Sequence, residues 1–374
     1  MNDSNYTSEN ILDYETVALD DEDKALVIID QTKLPNETVI LRLKTAKEYY
    51  DAIYLLQVRG APAIGVAAGY AIYLESCRIA DEMINENSRE GRSSADDAYR
   101  AAGGFDRFYS EFVKAKEYLN SSRPTAVNLS WALNRMECVA AANRDLPIDQ
   151  LLNVLRNESV TIQREDISMC LAIGENALTL VKKGDGLLTH CNAGQLATSK
   201  YGTATAVMYL GHDRGYDFHI YCDETRPLLQ GARLTAYELS SAGLDVTLLC
   251  DNMVASAMSK GMINAVFVGA DRIAANGDTA NKIGTSVVAT VAKHYGIPFY
   301  VCAPSSTVDA SLKSGADIPI EMRKSEEVTE MWYAKRMAPE GIKAYNPAFD
   351  VTDHSLITAI ITEKGVAYPP YKFE

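Results

Sequence analysis

Beyond Asp185 the chain alternates short apolar runs with helical segments: Leu187–Cys191 then Tyr201–Leu210, His219–Asp223 then Ala232–Ala242, Val246–Asp251 then Met253–Lys260, Ala265–Ala270 then Ile283–Tyr295, and last Pro298–Ala303. Runs this short and this apolar read as strands buried on both faces, with the helices as their covers. Five strands joined by helices predict a parallel, doubly wound α/β sheet. In such a sheet the ligand crevice opens at the carboxyl ends of the strands, where the loops diverge and helix N-termini point.

The chain before Asp185 reads differently. Lys24–Ile29 and Thr38–Leu43 read as strands around the turn-rich Thr32-Lys33-Leu34-Pro35-Asn36. Apolar residues then recur at helical spacing through Ala46–Val58, Ile64–Ile79, Ala98–Leu119, Ala126–Ala142 and Ile148–Val181. Asn85–Asp97, dense in Ser, Arg, Glu and Asp, reads as a solvated connection. The expected organisation is a flexible acidic leader at 1–22, a mainly helical domain at 23–150, a connecting helix at 151–182 and an α/β domain at 183–374. Two domains suit 374 residues, at about 100–200 residues each.

Charge narrows the partners. Fifty acidic against 36 basic residues give a formal charge of −14, which repels nucleic-acid phosphates and acidic lipid, so neither nucleic acid nor membrane is expected. A small phosphorylated ligand stays compatible, because a few basic groups and backbone N–H donors can hold it locally. The apolar stretch Gly60–Leu74 falls short of the ~20 residues that cross a bilayer and reads as a buried helix. Met1–Glu22 lacks the charge pattern of a signal peptide. Seven cysteines, odd in number and without a CxxC pair, indicate neither a disulfide framework nor a zinc site, and the expected compartment is the reducing cytoplasm.

The residues ending the expected strands are Cys191, Glu224, Asp251 and Asp271. Acids at such positions also serve as helix N-caps. Cys191 stands where a strand meets the small-residue loop Asn192-Ala193-Gly194, a place where helix N–H groups lower a thiol pKa; it suits a buried structural cysteine as well. Cys222, Cys250 and Cys302 lie in apolar runs and are expected in the core. After Asp271 comes Arg272 through Thr285, a Gly/Asn-rich loop with Lys282 close to the following helix. It suits phosphate binding through backbone N–H groups and one cation, and equally a solvated capping turn. Arg59-Gly60-Ala61-Pro62 and Ser122-Arg123-Pro124-Thr125 each put an arginine just before a helix. Histidine spacing fits no metal motif, His190 reads as a packed strand residue, and both GxGxxG in its βα context and the Walker pattern are missing.

Taken together, Arg59 to Gly65, Thr189-His190-Cys191-Asn192-Ala193-Gly194, Asp223 to Pro227 with Gln230 to Arg233, Gly269 to Asp278, Asn281 to Thr285 and Tyr345 to Asp350 resemble the methylthioribose-1-phosphate isomerases, over nearly the whole chain after the leader. The resemblance implies a smaller, mainly helical N-terminal domain on a Rossmann-like C-terminal domain, the substrate between them, and a homodimer. It implies Cys191 and Asp271 as the catalytic pair, and Arg59, Gly60, Ala61, Arg123, Gln230, Asn281 and Lys282 as substrate contacts, with neither metal nor cofactor. The implied reaction turns 5-methylthioribose 1-phosphate into 5-methylthioribulose 1-phosphate, a step of methionine salvage. Alternatives in the same superfamily are 5-deoxyribose-1-phosphate and ribose-1,5-bisphosphate isomerases, and a non-catalytic, sugar-phosphate-sensing regulatory subunit. Retention of both Cys191 and Asp271 favours an enzyme. In the implied chemistry Asp271 protonates the ring oxygen, which requires a raised pKa from burial or a nearby negative charge, Asp251 being one source.

Overall fold

The computed structural model describes residues 15–87, 94–124 and 126–373. These form two compact units, one of 15–167 with 197–199, the other of 168–196 with 200–373. Residues 1–14 of the expected leader and 88–93 of the expected connection lie outside the described residues.

The helical unit begins with an antiparallel sheet, β1 (Val17–Asp20), β2 (Ala25–Ile29) and β3 (Ile40–Leu43), in the order β1-β2-β3. β1 falls within the stretch expected to be a flexible leader. Its apolar Val17-Ala18-Leu19 pairs with β2, opposite Ile28-Val27-Leu26, and Val17 is fully buried. Six helices follow: α1 (Ala46–Tyr54), α2 (Ala61–Asn87), α3 (Ala95–Ala101), α4 (Gly104–Asn120), α5 (Val127–Ala142) and α6 (Ile148–Leu178). A reciprocal cap between Thr45 and Glu48 starts α1. The single helix expected at Ala98–Leu119 is two, broken where Gly103 and Gly104 take φ of +109° and +57°, values that leave the helical basin.

Helix α2 is buried almost all round from Ala63 to Cys77, as its apolar sequence requires. It packs among Phe108 and Phe112 of α4, Leu129, Leu133 and Met136 of α5, and Leu151 and Leu155 of α6. Each of those large side chains contributes roughly 1.5–3 kcal/mol through burial. The sequence reading placed the domain division near 150 with a connecting helix up to 182. That helix is α6, and the division falls inside it.

The second unit holds β4 (Gly186–Thr189), α7 (Ala206–Asp213), β5 (His219–Asp223), α8 (Ala236–Ser241), β6 (Asp245–Leu249), α9 (Val254–Ser259), β7 (Ala265–Val268), β8 (Arg272–Ala274), β9 (Thr279–Lys282), α10 (Thr285–Tyr295), β10 (Phe299–Cys302), β11 (Val308–Asp309), β12 (Phe349–Thr352), β13 (Ala359–Thr362) and β14 (Gly365–Ala367). Seven strands pair in the order β14-β13-β10-β7-β4-β5-β6, all parallel except β14. Side chains alternate across it. Ala265, Phe267, Tyr300, Cys302, Ala359 and Ile361 face one core with Val207, Met208 and Leu239, while Val266, Val268, Phe299, Val301 and Ile360 face the other with Val254, Val288 and Ala292. The α/β expectation holds.

Two differences matter for the site. The stretch Arg272 to Thr285, expected as a loop, contains the antiparallel pair β8–β9, which joins β11 and β12 in a four-stranded sheet of order β11-β8-β9-β12. Cys222 and Cys302 are buried as expected, but Cys250 is exposed, because β6 is the edge strand and Leu248 beside it is 51% exposed.

Candidate active site

The strand order puts β4 at the hinge of the topology. From β4 the chain lays down β5 and β6 on one side, then crosses back to place β7 on the other. Ligands bind at this kind of reversal, because the flanking loops leave in opposite directions and open a crevice. Leu187 and Leu188 of β4 register with Ala265 and Val266 of β7. Cys191 and Asp271 therefore follow neighbouring strands, about 4.8 Å apart in the sheet, at the same edge. The two loops touch: a Cβ on Gly269 would lie 2.6 Å from the Ala193 Cβ, so only glycine fits there.

Cys191 is partly exposed and has φ of +66°. That left-handed conformation costs a non-glycine residue about 1–2 kcal/mol. Two hydrogen bonds hold it: the Cys191 N–H donates to Thr225 Oγ1 at 2.8 Å, and Thr235 Oγ1 donates to the Cys191 carbonyl at 2.6 Å. At about 1 kcal/mol each they offset the strain and fix the direction in which the thiol leaves the backbone. Thr225, itself at φ +63°, is anchored in turn, its N–H donating to Asp251 Oδ1 at 2.7 Å, while Arg226 N–H donates to Asp251 Oδ2 at 2.7 Å.

Under Cys191, His190 is 1% exposed. Its Nδ1 meets Asp223 Oδ2 at 3.0 Å and its Nε2 meets the Ile283 carbonyl at 2.9 Å. Burial alone would favour the neutral ring, but the Asp223 carboxylate and the Ile283 carbonyl raise its pKa. Acceptors on both sides favour the protonated ring, which can donate to both. This ties β4 to β5 and to the turn before α10. His190, Asp223 and Asp251 offer atoms within 4.8 Å of one another, a spacing a cation could bridge; the ring nitrogens and both Asp251 oxygens already have the hydrogen bonds just given. The expectation for His190, a hydrogen-bonded packing residue, holds.

The Asp271 side is looser. Asp271 is exposed, and its N–H donates to the Ala280 carbonyl of β9 at 2.9 Å. Asn281 is buried, with Nδ2 donating to Thr285 Oγ1 at 3.1 Å. Lys282 donates to the Ala348 carbonyl at 3.0 Å and sits 4.3 Å from the centre of the Phe349 ring. The N-terminus of α10, expected to face a phosphate, is capped from within: Gly284 N–H donates to Asp350 Oδ2 at 2.8 Å, and Ser286 donates through both N–H and Oγ. A built-in carboxylate thus takes the place an incoming anion would claim.

Gln230, 8% exposed, precedes the helical turn Gly231–Thr235, and its side-chain carbonyl is buried with no partner among the described residues. A buried acceptor left open in this way is one a ligand hydroxyl can satisfy. Arg59, Gly60, Ala61 and Arg123 belong to the helical unit. Gly60, at φ +93°, opens α2, and its Cα approaches Ala197 so closely that a Cβ would clash at 2.5 Å. Arg123 ends the turn whose carbonyl accepts from Ala126 N–H at 2.9 Å, just before α5.

Sequence reasoning did not single out Thr225, Thr235, Glu238 or Asp350 as parts of the site. Asp350 and Thr225 sit inside motifs that were noticed. Thr235 and Glu238 leave no local signal, since their partners lie more than 40 residues away.

The profile of the Initiation factor 2 subunit family matches residues 57–369. A methylthioribose-1-phosphate isomerase of Symbiobacterium thermophilum is 60% identical over 96% of this chain and 94% of its own length. A 5-deoxyribose 1-phosphate isomerase of Clostridium botulinum is 52% identical over 94% of this chain and 95% of its own. The crystal structure of 5-methylthioribose 1-phosphate isomerase from Pyrococcus horikoshii superposes with a TM-score of 0.85, at 41% identity, covering 97% of this chain and 95% of that one.

Proposed function

The chain belongs to the Initiation factor 2 subunit family, and from that premise we propose that it is an aldose-ketose isomerase converting 5-methylthioribose 1-phosphate to 5-methylthioribulose 1-phosphate in methionine salvage. The observation that carries the reading is the position of a thiol and a carboxyl group on the two strands flanking the topological reversal, Cys191 after β4 and Asp271 after β7. The high identity to a named isomerase supports the substrate.

The chemistry assigns the roles. A C1 phosphate blocks simple ring opening, so an acid must protonate the departing ring oxygen; this is Asp271. A bound phosphate's charge and the exclusion of water both raise a carboxyl pKa, which favours the protonated form this role requires. Hydrogen then moves from C2 to C1. Cys191 either removes the C2 proton as a thiolate or stabilises the charge that develops in a hydride shift. Turnover in deuterated water separates these, since only proton abstraction brings solvent deuterium to C1.

The proposed substrate contacts are Gln230, Asn281 and Lys282 from the α/β unit, with Arg59, Gly60, Ala61 and Arg123 from the helical unit. Gln230's open carbonyl suits a sugar hydroxyl, and the start of α2 with Arg59 suits the phosphate. A homodimer in the cytoplasm completes the reading. No helix among the described residues is long and apolar enough to cross a membrane, and none of the seven cysteines is in a disulfide.

The Clostridium relative favours a second reading, 5-deoxyribose 1-phosphate as substrate. The two sugars differ at C5, where methylthio wants a longer apolar slot than methyl, a difference worth about 10–200-fold in kcat/KM. The test is ketose formation by purified protein from each sugar 1-phosphate, with and without chelator. Preference for the methylthio sugar upholds the proposal, preference for the deoxy sugar replaces it, and silence with both removes the isomerase.

A further inference from the structure

The loop that carries Cys191 is closed from below by a buried acid. Glu238 of α8 is completely buried. Its Oε1 accepts the Gln195 N–H at 3.1 Å, and its Oε2 accepts the Leu196 N–H at 3.1 Å and the Asn192 side-chain N–H at 3.3 Å. Gly194 lies against the same carboxylate so tightly that a Cβ would come within 1.5 Å of Oε1. Thr235, three residues earlier on the same helical stretch, bonds the Cys191 carbonyl and the Asn192 amide. One helical face thus grips residues 191 to 196 at both ends.

We propose that Glu238 is a positioning residue for the Cys191 thiol, acting through the backbone N–H groups of Gln195 and Leu196; the inference rests on the isomerase reading. The carboxylate form is the competent one. Ionised, both oxygens accept, and the three N–H donors aimed at them are satisfied. Protonated, the carboxyl group accepts more weakly from the N–H groups of Gln195, Leu196 and Asn192, and the loop holding Cys191 slackens. A displacement of about 1 Å at a reacting group costs as much as 10²-fold in rate.

The switch falls in a useful interval. Burial raises the Glu238 pKa to about 7, against the opposing pull of its N–H donors. The other titratable groups facing it are Tyr209 of α7 and Cys222 of β5, and burial raises both above their ordinary range. Neither therefore ionises in the same interval, and no charged partner among the described residues bonds to Glu238. For stability the sign is fixed: a raised folded-state carboxyl pKa costs stability as pH climbs from 4.5 to about 7.

The experiment measures kcat, KM and Tm from pH 5 to 9 for the parent, Glu238→Gln and Glu238→Asp. Glu238→Gln fixes a donor where an acceptor is needed. Its kcat should fall at least ~10-fold with KM nearly unchanged, the rise of kcat through pH ~7 should vanish, and its Tm should gain on the parent's as pH increases. Glu238→Asp keeps the charge but falls one methylene short; its kcat should drop while the ionisation persists. A parental pH profile in Glu238→Gln overturns the inference. Should that variant not fold, parental kcat in Glu238→Asp overturns it. A parent inactive with every sugar 1-phosphate defeats the isomerase reading first, so the two failures are told apart.

Discussion

The two catalytic candidates sit at the ends of neighbouring strands, yet the fold treats them differently. Cys191 is held by Thr225, Thr235 and, through its loop, by Glu238, with the buried His190–Asp223 pair beneath it. Asp271 is exposed and stands between β7 and the short hairpin β8–β9. The contrast teaches a division of labour. The direction of the thiol is built into the folded chain, whereas the carboxyl group stands at an exposed position. A thiol needs a fixed approach to a carbon atom, while a carboxyl group acting on oxygen needs chiefly the right protonation state.

The sharpest way to break this contrast is through stability. Asp223→Asn breaks the buried His190–Asp223 pair and should cost about 3–5 kcal/mol. Asp271→Asn, at an exposed site, should change stability by no more than ~0.5 kcal/mol; urea titrations of both would test it, and equal losses would refute the contrast. Catalysis should show the opposite symmetry. Cys191→Ser and Asp271→Asn should each lower kcat by at least ~10²-fold with folding intact, and near-normal turnover in either removes that residue from the mechanism. The smallest effect sits away from the crevice, at Asp278. Burial would raise its pKa, but hydrogen bonds from Gly315 N–H, Asn276 and His354 bring it down to about 2 from an ordinary 3.8. Its stabilisation is present above pH 3.8 and is lost as pH falls through 2. Asp278→Asn should thus flatten acid unfolding in that interval while leaving kcat at pH 8 unchanged.

Much of this was legible in the sequence because apolar content marks buried strands directly. Leu187-Leu188 and Ala265-Val266-Phe267-Val268 could only be interior, and the residues after them, Cys191 and Asp271, followed. β8 and β9 were not legible, since Arg272-Ile273-Ala274 and Thr279-Ala280-Asn281-Lys282 lack the apolar run of a central strand and owe their form to neighbours such as β11 and β12. β1 was hidden by acidic surroundings, and the break in the helix at Gly103-Gly104 by the periodicity on either side. The support beneath Cys191 was invisible for a different reason. Thr235 and Glu238 read as ordinary residues of an amphipathic helix, and only the folded sheet brings them to residues 191 to 196.

The crossing back from β6 to β7 also sets a timetable for the molecule. Joining β7 to β4 closes a stretch of about 80 residues, a slow event compared with forming local helices. As the chain leaves the ribosome, β4, β5 and β6 emerge in a row, and one flank of β4 stays bare until β7 arrives. A chain cut short after α9 carries the thiol and lacks the acid. On the proposed chemistry, such a shortened chain cannot turn over sugar.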